Sequence, residues 1–137
     1  MKKNTLLITG GAGYIGSHTC LVLLEKGYHL IVIDSFVNSS KESLERVKKY
    51  LQNKIEFVSE KLKIIEGDIR NELILRRIFY EAYKDKNPIE AVIHFAGLKS
   101  VEESVNYPLK YWDFNVNGSI ALVKVMKDFD CKTIIFS

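Results

Sequence analysis

The chain has 137 residues, which is enough for one domain with one buried core. Hydrophobic residues make up 47% of the chain and charged residues 27%, as in ordinary globular proteins. The apolar run near the N-terminus is too short for a secretion signal or a membrane span. The net charge is only +3, without an arginine cluster or an aromatic platform, which disfavours nucleic acid as a partner. Cys20 and Cys131 lack the spacing of a metal or redox motif, so we expect reduced cysteines, no metal site and a cytoplasmic protein.

The first half of the chain alternates between apolar runs and stretches with helical spacing. In chain order we predict a strand over Thr5–Thr9, a helix over Tyr14–Lys26, a strand over His29–Asp34 and a helix from Lys41 to about Gln52. Residues 35–40 are polar and rich in helix-capping types, which predicts a loop. Residues 53–61 fit neither the helical nor the strand period, and their structure stays open.

The second half continues the same alternation. We predict a strand over Leu62–Glu66, a helix that Asn71 caps and that extends to about Lys84, a strand over Ala91–Phe95, a long helix from Leu109 to about Phe129 and a strand over Thr133–Phe136. Candidate core residues of the first of these helices are Leu73, Leu75, Ile78 and Phe79. Strands separated by helices form βαβ units. We therefore expect an α/β fold with a doubly wound parallel sheet of the Rossmann type, present up to its fifth strand.

A glycine-rich segment, Gly10–Gly16, lies between the first predicted strand and the first predicted helix. In such a turn, a glycine at 10 permits the tight bend, a glycine at 13 lets the backbone approach a pyrophosphate, and a glycine at 16 lets the helix pack close to the sheet. Unpaired N–H groups at the start of the helix, together with the helix dipole, favour an anion there. The context predicts a dinucleotide-binding turn, against the alternative of a merely structural one.

Asp34 ends the second predicted strand, close to the ~20 residues after the last glycine at which an acidic residue binds the adenosine ribose. A carboxylate at this position accepts hydrogen bonds from both ribose hydroxyls and repels a 2′-phosphate. Residues 35–37 contain no arginine to receive such a phosphate. These features favour NAD over NADP.

Ligands of doubly wound sheets bind beyond the carboxyl ends of the strands, near the point where strand order reverses. This rule selects the segments Gly10–Gly16, Asp34–Ser39, Asp68–Ile69, Phe95–Lys99 and Ser137.

Three residues at this edge have competing interpretations. Asp68 suits an adenine amino group, or else caps the following helix. Lys99 lies just past a glycine turn, where a cation can reach ribose or phosphate oxygens. His94 lies inside its strand and is interpreted as a hydrogen-bonded core or edge residue instead of a base.

Four segments resemble the UDP-glucose 4-epimerase family of the extended short-chain dehydrogenase/reductase superfamily: Thr9–His18, Gly67–Arg70, His94–Lys99 and Asn115–Gly118. The resemblance covers the whole chain. The glycine motif is shared across the superfamily, whereas the run from His94 to Lys99, followed by Glu103–Val105 and Pro108, is much more specific to the epimerases.

The resemblance implies an isomerase of galactose metabolism in which tightly held NAD takes a hydride from C4 of UDP-galactose or UDP-glucose and returns it to the opposite face. It implies that Tyr14 and Ile15 contact the pyrophosphate, that Asp68 and Ile69 contact adenine, and that Asn115 lines the nicotinamide side. The predicted cofactor-binding residues are Gly10, Gly13, Tyr14, Ile15, Gly16, Asp34, Ser35, Phe36, Val37, Asn38, Ser39, Asp68, Ile69, Phe95, Ala96, Gly97, Leu98, Lys99, Asn115 and Ser137.

The resemblance also places the family's catalytic serine just after Ser137, and its Tyr-x-x-x-Lys pair and UDP-sugar domain further on. We therefore assign no catalytic residue within residues 1–137, and expect a polypeptide of these residues alone to bind NAD without epimerase activity. Two alternatives stay open: another nucleotide-sugar enzyme of the superfamily, such as a dehydratase, and a non-catalytic dinucleotide-binding module. The helix predicted near 109–128 lies where the family commonly dimerises, which makes a homodimer a further expectation.

Overall fold

Five parallel strands form the centre of the fold. The computed structural model describes residues 4–137; Met1–Lys3, predicted to lead directly into the first strand, lies outside them. The strands are β1 (Thr5–Thr9), β2 (His29–Asp34), β3 (Leu62–Glu66), β4 (Ile89–His94) and β5 (Thr133–Phe136). Their order across the sheet is β3-β2-β1-β4-β5, and every neighbouring pair is parallel. The predicted Rossmann-type sheet is confirmed, and strand order reverses between β1 and β4, where such folds open a crevice.

Helices cover both faces of this sheet. They are α1 (Tyr14–Glu25), α2 (Lys41–Leu51), α3 (Val58–Lys61), α4 (Glu72–Lys84), α5 (Val101–Asn106), α6 (Pro108–Tyr111), a π-helical segment over Trp112–Asn117, and α7 (Gly118–Asp128). Every helix within residues 4–137 is too short or too polar to cross a lipid bilayer.

Side-chain alternation along the strands separates two apolar clusters. Leu7 of β1 faces a cluster with α4 and α7, which includes Leu75 and Leu122. Its neighbour Ile8 faces the opposite cluster, which α1 and α2 cover. Because successive side chains of a strand point to opposite faces, the continuous apolar strands bury both sides of the sheet. This cover of the central strands leaves their ends available for ligands, whereas β5 is exposed along its whole length.

Strand β4 starts two residues earlier, and ends one residue earlier, than the sequence predicted. The sequence suggested Ala91–Phe95, whereas the strand begins at Ile89 and ends at His94. Ile89 is buried and pairs with Thr5, and the pairing register shifts directly after that pair. The charged Glu90 between the apolar residues concealed this early start.

The predicted long helix from Leu109 to about Phe129 is present without a gap from Pro108 to Asp128, but its middle widens into the π-helical segment between α6 and α7. The short helix α5 is separate from it and ends before Tyr107. Apolar spacing cannot distinguish an α-helix from a π-helical turn, because the wider turn shifts the period by a single residue.

One of the four core residues predicted for α4 was wrong. Leu73 is 79% exposed in the first turn of this helix, whereas Leu75, Ile78 and Phe79 are buried.

The segment that fitted neither period forms turns followed by the short helix α3. Phe57 precedes α3 in the left-handed region, with a φ of 56°, and its side chain is exposed. Val58 is the buried anchor of this segment, against the cluster under α1 and α2. One apolar anchor in a turn produces no periodic signal, which explains why the sequence was ambiguous.

Candidate functional site: a crevice at the carboxyl ends of the strands

A crevice of about 540 Å³ opens where strand order reverses. Its volume is in the range of pockets that hold small molecules and cofactors. With the exception of Phe36 and Asn115, every residue predicted for the site lines it. Six further residues line it that sequence reasoning did not select: Ile33, Gly67, Ser100, Glu103, Tyr111 and Phe114.

Gly10 and Gly16 are glycines because backbone lies against them. Gly10 has a φ of 67°, and a Cβ there would lie 2.6 Å from the Ala96 backbone nitrogen. A Cβ on Gly16 would lie 2.5 Å from the Gly10 carbonyl oxygen. Gly13 differs, because its Cβ would lie at an ordinary 3.5 Å from that same oxygen. The space beside Gly13 is therefore open towards the crevice.

Helix α1 presents an uncapped N-terminus to the crevice. Its N-cap is Gly13, which supplies no side-chain hydrogen bond, and its first turn contains no acidic residue. By contrast, Ser40 caps α2 and Asn71 caps α4 through their side chains. The first N–H groups of a helix need an acceptor, and the helix dipole makes an anion a favourable one. The start of α1 is thus suited to a phosphate group.

Asp34 is held with its carboxylate at the edge of the crevice. Its Oδ2 accepts a hydrogen bond from the Ala12 N–H at 3.0 Å, and its Oδ1 accepts from the Phe36 N–H and the Ser39 hydroxyl, both at 2.9 Å. The residue is only 8% exposed. A carboxylate offers about four acceptor positions, so this one keeps capacity for a ligand hydroxyl.

Phe36 does not line the crevice, for a local reason. Its φ of 57° turns the chain so that its N–H points back to Asp34. Its ring then packs against the apolar cluster under α1 and α2. The backbone of Phe36 therefore supports the site, while its side chain lies outside it.

The loop after β3 brings Asp68 to the crevice in a network of charges. Arg70 donates from Nε and Nη2 to the Asp68 carboxylate, and its Nη1 donates to Asp113. Hydrogen bonding to Arg70 is the main reason that the pKa of Asp68 lies below its usual value. The cap of α4 is Asn71, as predicted, so the alternative role of Asp68 as that cap is excluded.

Asn115 supports the loop after β4 from behind. Its Oδ1 accepts from the Leu98 N–H at 2.8 Å, and its Nδ2 donates to the Leu98 carbonyl at 3.0 Å. A Cβ on Gly97 would lie 3.1 Å from the same Oδ1. The amide thus holds the Gly97–Leu98 backbone as part of the wall without lining the crevice itself.

His94 is a structural residue, as the sequence suggested. Its Nδ1 is hydrogen-bonded to the Thr9 hydroxyl and its Nε2 to the Ser119 hydroxyl, the latter at 2.9 Å. Burial, with a further contribution from the charge of Lys99, lowers the pKa of His94 from 6.5 to about 4. The neutral ring joins β1, β4 and α7 behind the crevice.

Polar groups line the far end of the crevice. The exposed Lys99 donates from Nζ to the Ser137 carbonyl at 3.3 Å. Tyr111 donates to Glu103 at 3.0 Å and accepts from the Ser100 N–H at the same distance. No element was predicted between Lys99 and Leu109, and this group was not selected; the signal that indicates it is the Ser100–Glu103 capping pair.

Neither metal nor disulfide chemistry is built into the described residues. Within 4–137, no cluster of three His, Cys, Asp or Glu side chains is arranged to hold a metal ion. Cys20 and Cys131 are buried free thiols, and burial raises the pKa of Cys20 to about 12. Such thiols are poor nucleophiles and poor metal ligands.

A protein-family model described as "GDP-mannose 4,6 dehydratase" matches residues 7–137. UDP-glucose 4-epimerase 2 of Arabidopsis thaliana is 47% identical over 97% of this chain and 35% of that protein. A UDP-glucose 4-epimerase sequence of Klebsiella pneumoniae is 44% identical over 96% of this chain and 86% of that sequence. The crystal structure of UDP-glucose 4-epimerase from Bifidobacterium longum, in complex with NAD+ and UDP, superposes with a TM-score of 0.86 at 45% identity, over 98% of this chain and 36% of that chain.

The parallel sheet, the glycine turn and the crevice define a Rossmann-type domain. The sequence relatives define it more narrowly. This chain belongs to the UDP-glucose 4-epimerase family. It spans 35% of the length of the Arabidopsis relative.

Proposed function

We propose that this chain forms the NAD-binding part of an enzyme that interconverts UDP-galactose and UDP-glucose. The observation that carries the proposal is the Asp34 carboxylate, held by three hydrogen bonds beside a glycine turn and an uncapped helix. That combination matches the recognition of an adenosine ribose next to a pyrophosphate. The names of the relatives supply the substrate class.

The crevice accommodates an extended dinucleotide in one orientation. The pyrophosphate binds at Gly13, Tyr14 and Ile15, at the N-terminus of α1. The adenosine ribose binds Asp34 and the loop up to Ser39, which places adenine beside Asp68 and Ile69.

The nicotinamide half of the dinucleotide then lies along the loop after β4, formed by Phe95–Lys99. Ser137 lines the crevice next to this loop. Asn115 supports that loop through the backbone of Leu98. Lys99, as an exposed cation at this end, is available to ribose or phosphate oxygens.

Asp34 also explains the choice of cofactor. A 2′-phosphate on the ribose would meet a buried carboxylate whose neighbours at 35–37 include no arginine. Bringing two anions together in a poorly hydrated site is strongly unfavourable. The site therefore prefers NAD to NADP.

Bound NAD supplies the acceptor and donor of a hydride at sugar C4, so that oxidation and reduction cancel and the net reaction is an isomerisation. The residues of this chain bind and orient the dinucleotide. Removal and return of the sugar hydroxyl proton belong to the family's Tyr-x-x-x-Lys pair, which the resemblance places beyond Ser137. The epimerase names of the relatives favour this function over the dehydratase alternative.

We further propose a cytoplasmic homodimer that acts in galactose metabolism. The dimer proposal is supported by an exposed apolar face along α6, the π-helical segment and α7. Its members are Leu109, Trp112, Ile120 and Val123, each at least half exposed. A contiguous apolar face of this kind is typical of an interface.

The proposal is tested by calorimetric titration of the purified protein with NAD and with NADP. We expect NAD to bind at least about tenfold more tightly, a difference of about 1.4 kcal/mol. Asp34→Asn removes the charge that excludes the 2′-phosphate, and should reduce the NAD-to-NADP affinity ratio by about tenfold. Asp85→Asn, an exposed carboxylate at the end of α4, is the matched control and should leave the ratio unchanged.

Equal affinity of the unmodified protein for the two dinucleotides, or no binding of either, would overturn the proposal. The epimerase half is tested separately, by coupled assay of UDP-galactose turnover with a protein that contains this sequence together with the family's Tyr-x-x-x-Lys segment and UDP-sugar domain. Absence of turnover there would reject the reaction while leaving NAD binding in place.

A further inference from the structure

Arg70 is the most fully engaged charged side chain at the crevice, yet it does not line it. Its Nε lies 3.1 and 3.0 Å from the two carboxylate oxygens of Asp68, and its Nη2 lies 2.6 Å from Oδ2. Its Nη1 donates to Asp113. The guanidinium plane also lies 3.6 Å over the ring of Phe114. Only a planar fork with several donors can bind two carboxylates and a ring at once.

The second carboxylate that Arg70 binds, that of Asp113, belongs to the π-helical segment. Asp113 accepts from Asn117 within that segment, at 3.0 Å, and the same segment holds the loop after β4 through Asn115. Arg70 therefore connects the loop after β3 to an element that reaches the opposite half of the crevice. Among the described residues, this is a cross-link made by side chains alone, because the two elements share no backbone ladder.

The Arg70 guanidinium orients the Asp68 carboxylate. The side chain of Asp68 is about one-third exposed and lines the crevice, which makes the carboxylate accessible to a ligand, and its Oδ1 also accepts from the Arg70 backbone N–H at 2.9 Å. The negative charge of Asp113 acts against that of Asp68, and the hydrogen bonds from Arg70 outweigh it, which keeps the pKa of Asp68 below its usual value. Without the guanidinium the carboxylate would keep the hydrogen bond from the backbone N–H of residue 70 to Oδ1, but its Oδ2 would lose its donors and the carboxylate would face the like charge of Asp113.

We propose that Arg70 is a positioning residue that holds the Asp68 carboxylate as the acceptor for the exocyclic amino group of adenine. The inference rests on the proposed function, because it takes the dinucleotide orientation from there. A fixed carboxylate accepts a hydrogen bond from an amino group and repels a carbonyl oxygen at the same place. Arg70 thereby determines base selectivity without touching the base.

The experiment compares NAD with nicotinamide hypoxanthine dinucleotide, in which an oxo group replaces the adenine amino group. Calorimetry gives both dissociation constants for the unmodified protein and for Arg70→Gln, Arg70→Lys, Asp113→Asn and Arg77→Gln. The unmodified protein should prefer NAD by about tenfold, as expected for one hydrogen bond to a charged group. Arg70→Gln should reduce that preference to about twofold or less.

The other variants separate positioning from general stability. Arg70→Lys retains the charge but cannot hold both carboxylates, so it should give an intermediate preference. Asp113→Asn leaves the Arg70–Asp68 pair intact and should retain the preference. Arg77→Gln removes an exposed arginine of α4 and is the matched control.

Each outcome decides between distinct conclusions. If Arg70→Gln and Arg70→Lys weaken both dinucleotides equally, the role is merely structural and the inference is overturned. Equal binding of the two dinucleotides by the unmodified protein would overturn the inference while the proposed function stands. No NAD binding by the unmodified protein would reject the proposed function itself. Far-ultraviolet circular dichroism establishes that each variant is folded, and Arg70→Lys decides the question if Arg70→Gln is not.

Discussion

The buried Thr9–His94–Ser119 network shows how single residues support the crevice from behind. Both ring nitrogens of His94 have partners, and the Thr9 hydroxyl also accepts from the Ala96 N–H at 3.1 Å. Among the described residues, no buried side-chain nitrogen or oxygen lacks a hydrogen bond. A protonated ring would be buried beside Lys99 and would disrupt this arrangement.

The low pKa of His94 predicts a pH dependence of stability. The folded protein holds this group with a pKa of about 4, against 6.5 for the free side chain. The unfolded chain therefore binds a proton more readily, so the contribution of neutral His94 is complete above pH 6.5 and is lost as the pH falls towards 4. Urea unfolding between pH 7.5 and 5 should show a falling free energy of unfolding. Most carboxylates keep their charge in this window.

His94→Gln removes the titrating group, so its free energy of unfolding should change less with pH over the same window. His18→Gln changes an exposed histidine and should retain the full dependence. An identical slope for His94→Gln and the unmodified protein would contradict the assignment.

At the scale of elements, the junction of β1 with α1 separates packing from ligand binding. Gly16 lies against backbone atoms of Gly10 and Gly11, which cannot move away as a flexible side chain would. Gly13 has open space beside it and extended backbone angles that any residue can adopt. The fold thus requires glycine at 16, whereas at 13 we expect the proposed ligand, and not the packing, to require it.

Two matched substitutions test this division. Gly16→Ala should lower the free energy of unfolding by about 1–3 kcal/mol, the cost of overpacking, and should also weaken NAD binding. Gly13→Ala should lower the stability by less than about 1 kcal/mol, the cost of a poorer N-cap, yet weaken NAD binding because its methyl group enters the phosphate site. Thermal unfolding and calorimetric titration give both quantities. A loss of stability in Gly13→Ala equal to that in Gly16→Ala would contradict the division.

At the scale of the whole molecule, loops from both halves of the sheet form the crevice. Asp34 and Asp68 belong to the side of β2 and β3, and Phe95 to Lys99 belong to the side of β4. At the β5 side, Ile135 and Phe136 are exposed, so the sheet is less well covered there. A ligand that contacts both halves should therefore stabilise the whole fold by mass action.

NAD at 100 times its dissociation constant should stabilise the folded protein by about 2.7 kcal/mol. For a domain of this size, that corresponds to a rise in Tm of roughly 10 °C. Differential scanning fluorimetry measures the shift, and NADP at the same concentration is the control, for which we expect a smaller rise. An unchanged Tm with saturating NAD would contradict the ligand assignment.

Much of the fold was predictable because its signals are local. Four strands were predicted with their exact bounds, since each is an apolar run between capping residues or glycines. The glycine turn and Asp34 were recognisable because their spacing follows from the strand–turn–helix geometry itself. The start of β4 and the π-helical widening before α7 were missed because pairing with Thr5 and a wider helical turn leave no period in the sequence.

The sequence by itself determined the alternation of strands and helices, the glycine turn after β1 and the position of Asp34 at the end of β2, because backbone conformation and short spacings specify them. Only the tertiary structure decided how the crevice is held together: Arg70 between Asp68 and Asp113, Asn115 behind Leu98, and His94 between two hydroxyl groups. Most of these contacts join residues that are far apart in the chain. Their partners are selected by the packing of helices on the sheet, and no local pattern records that choice.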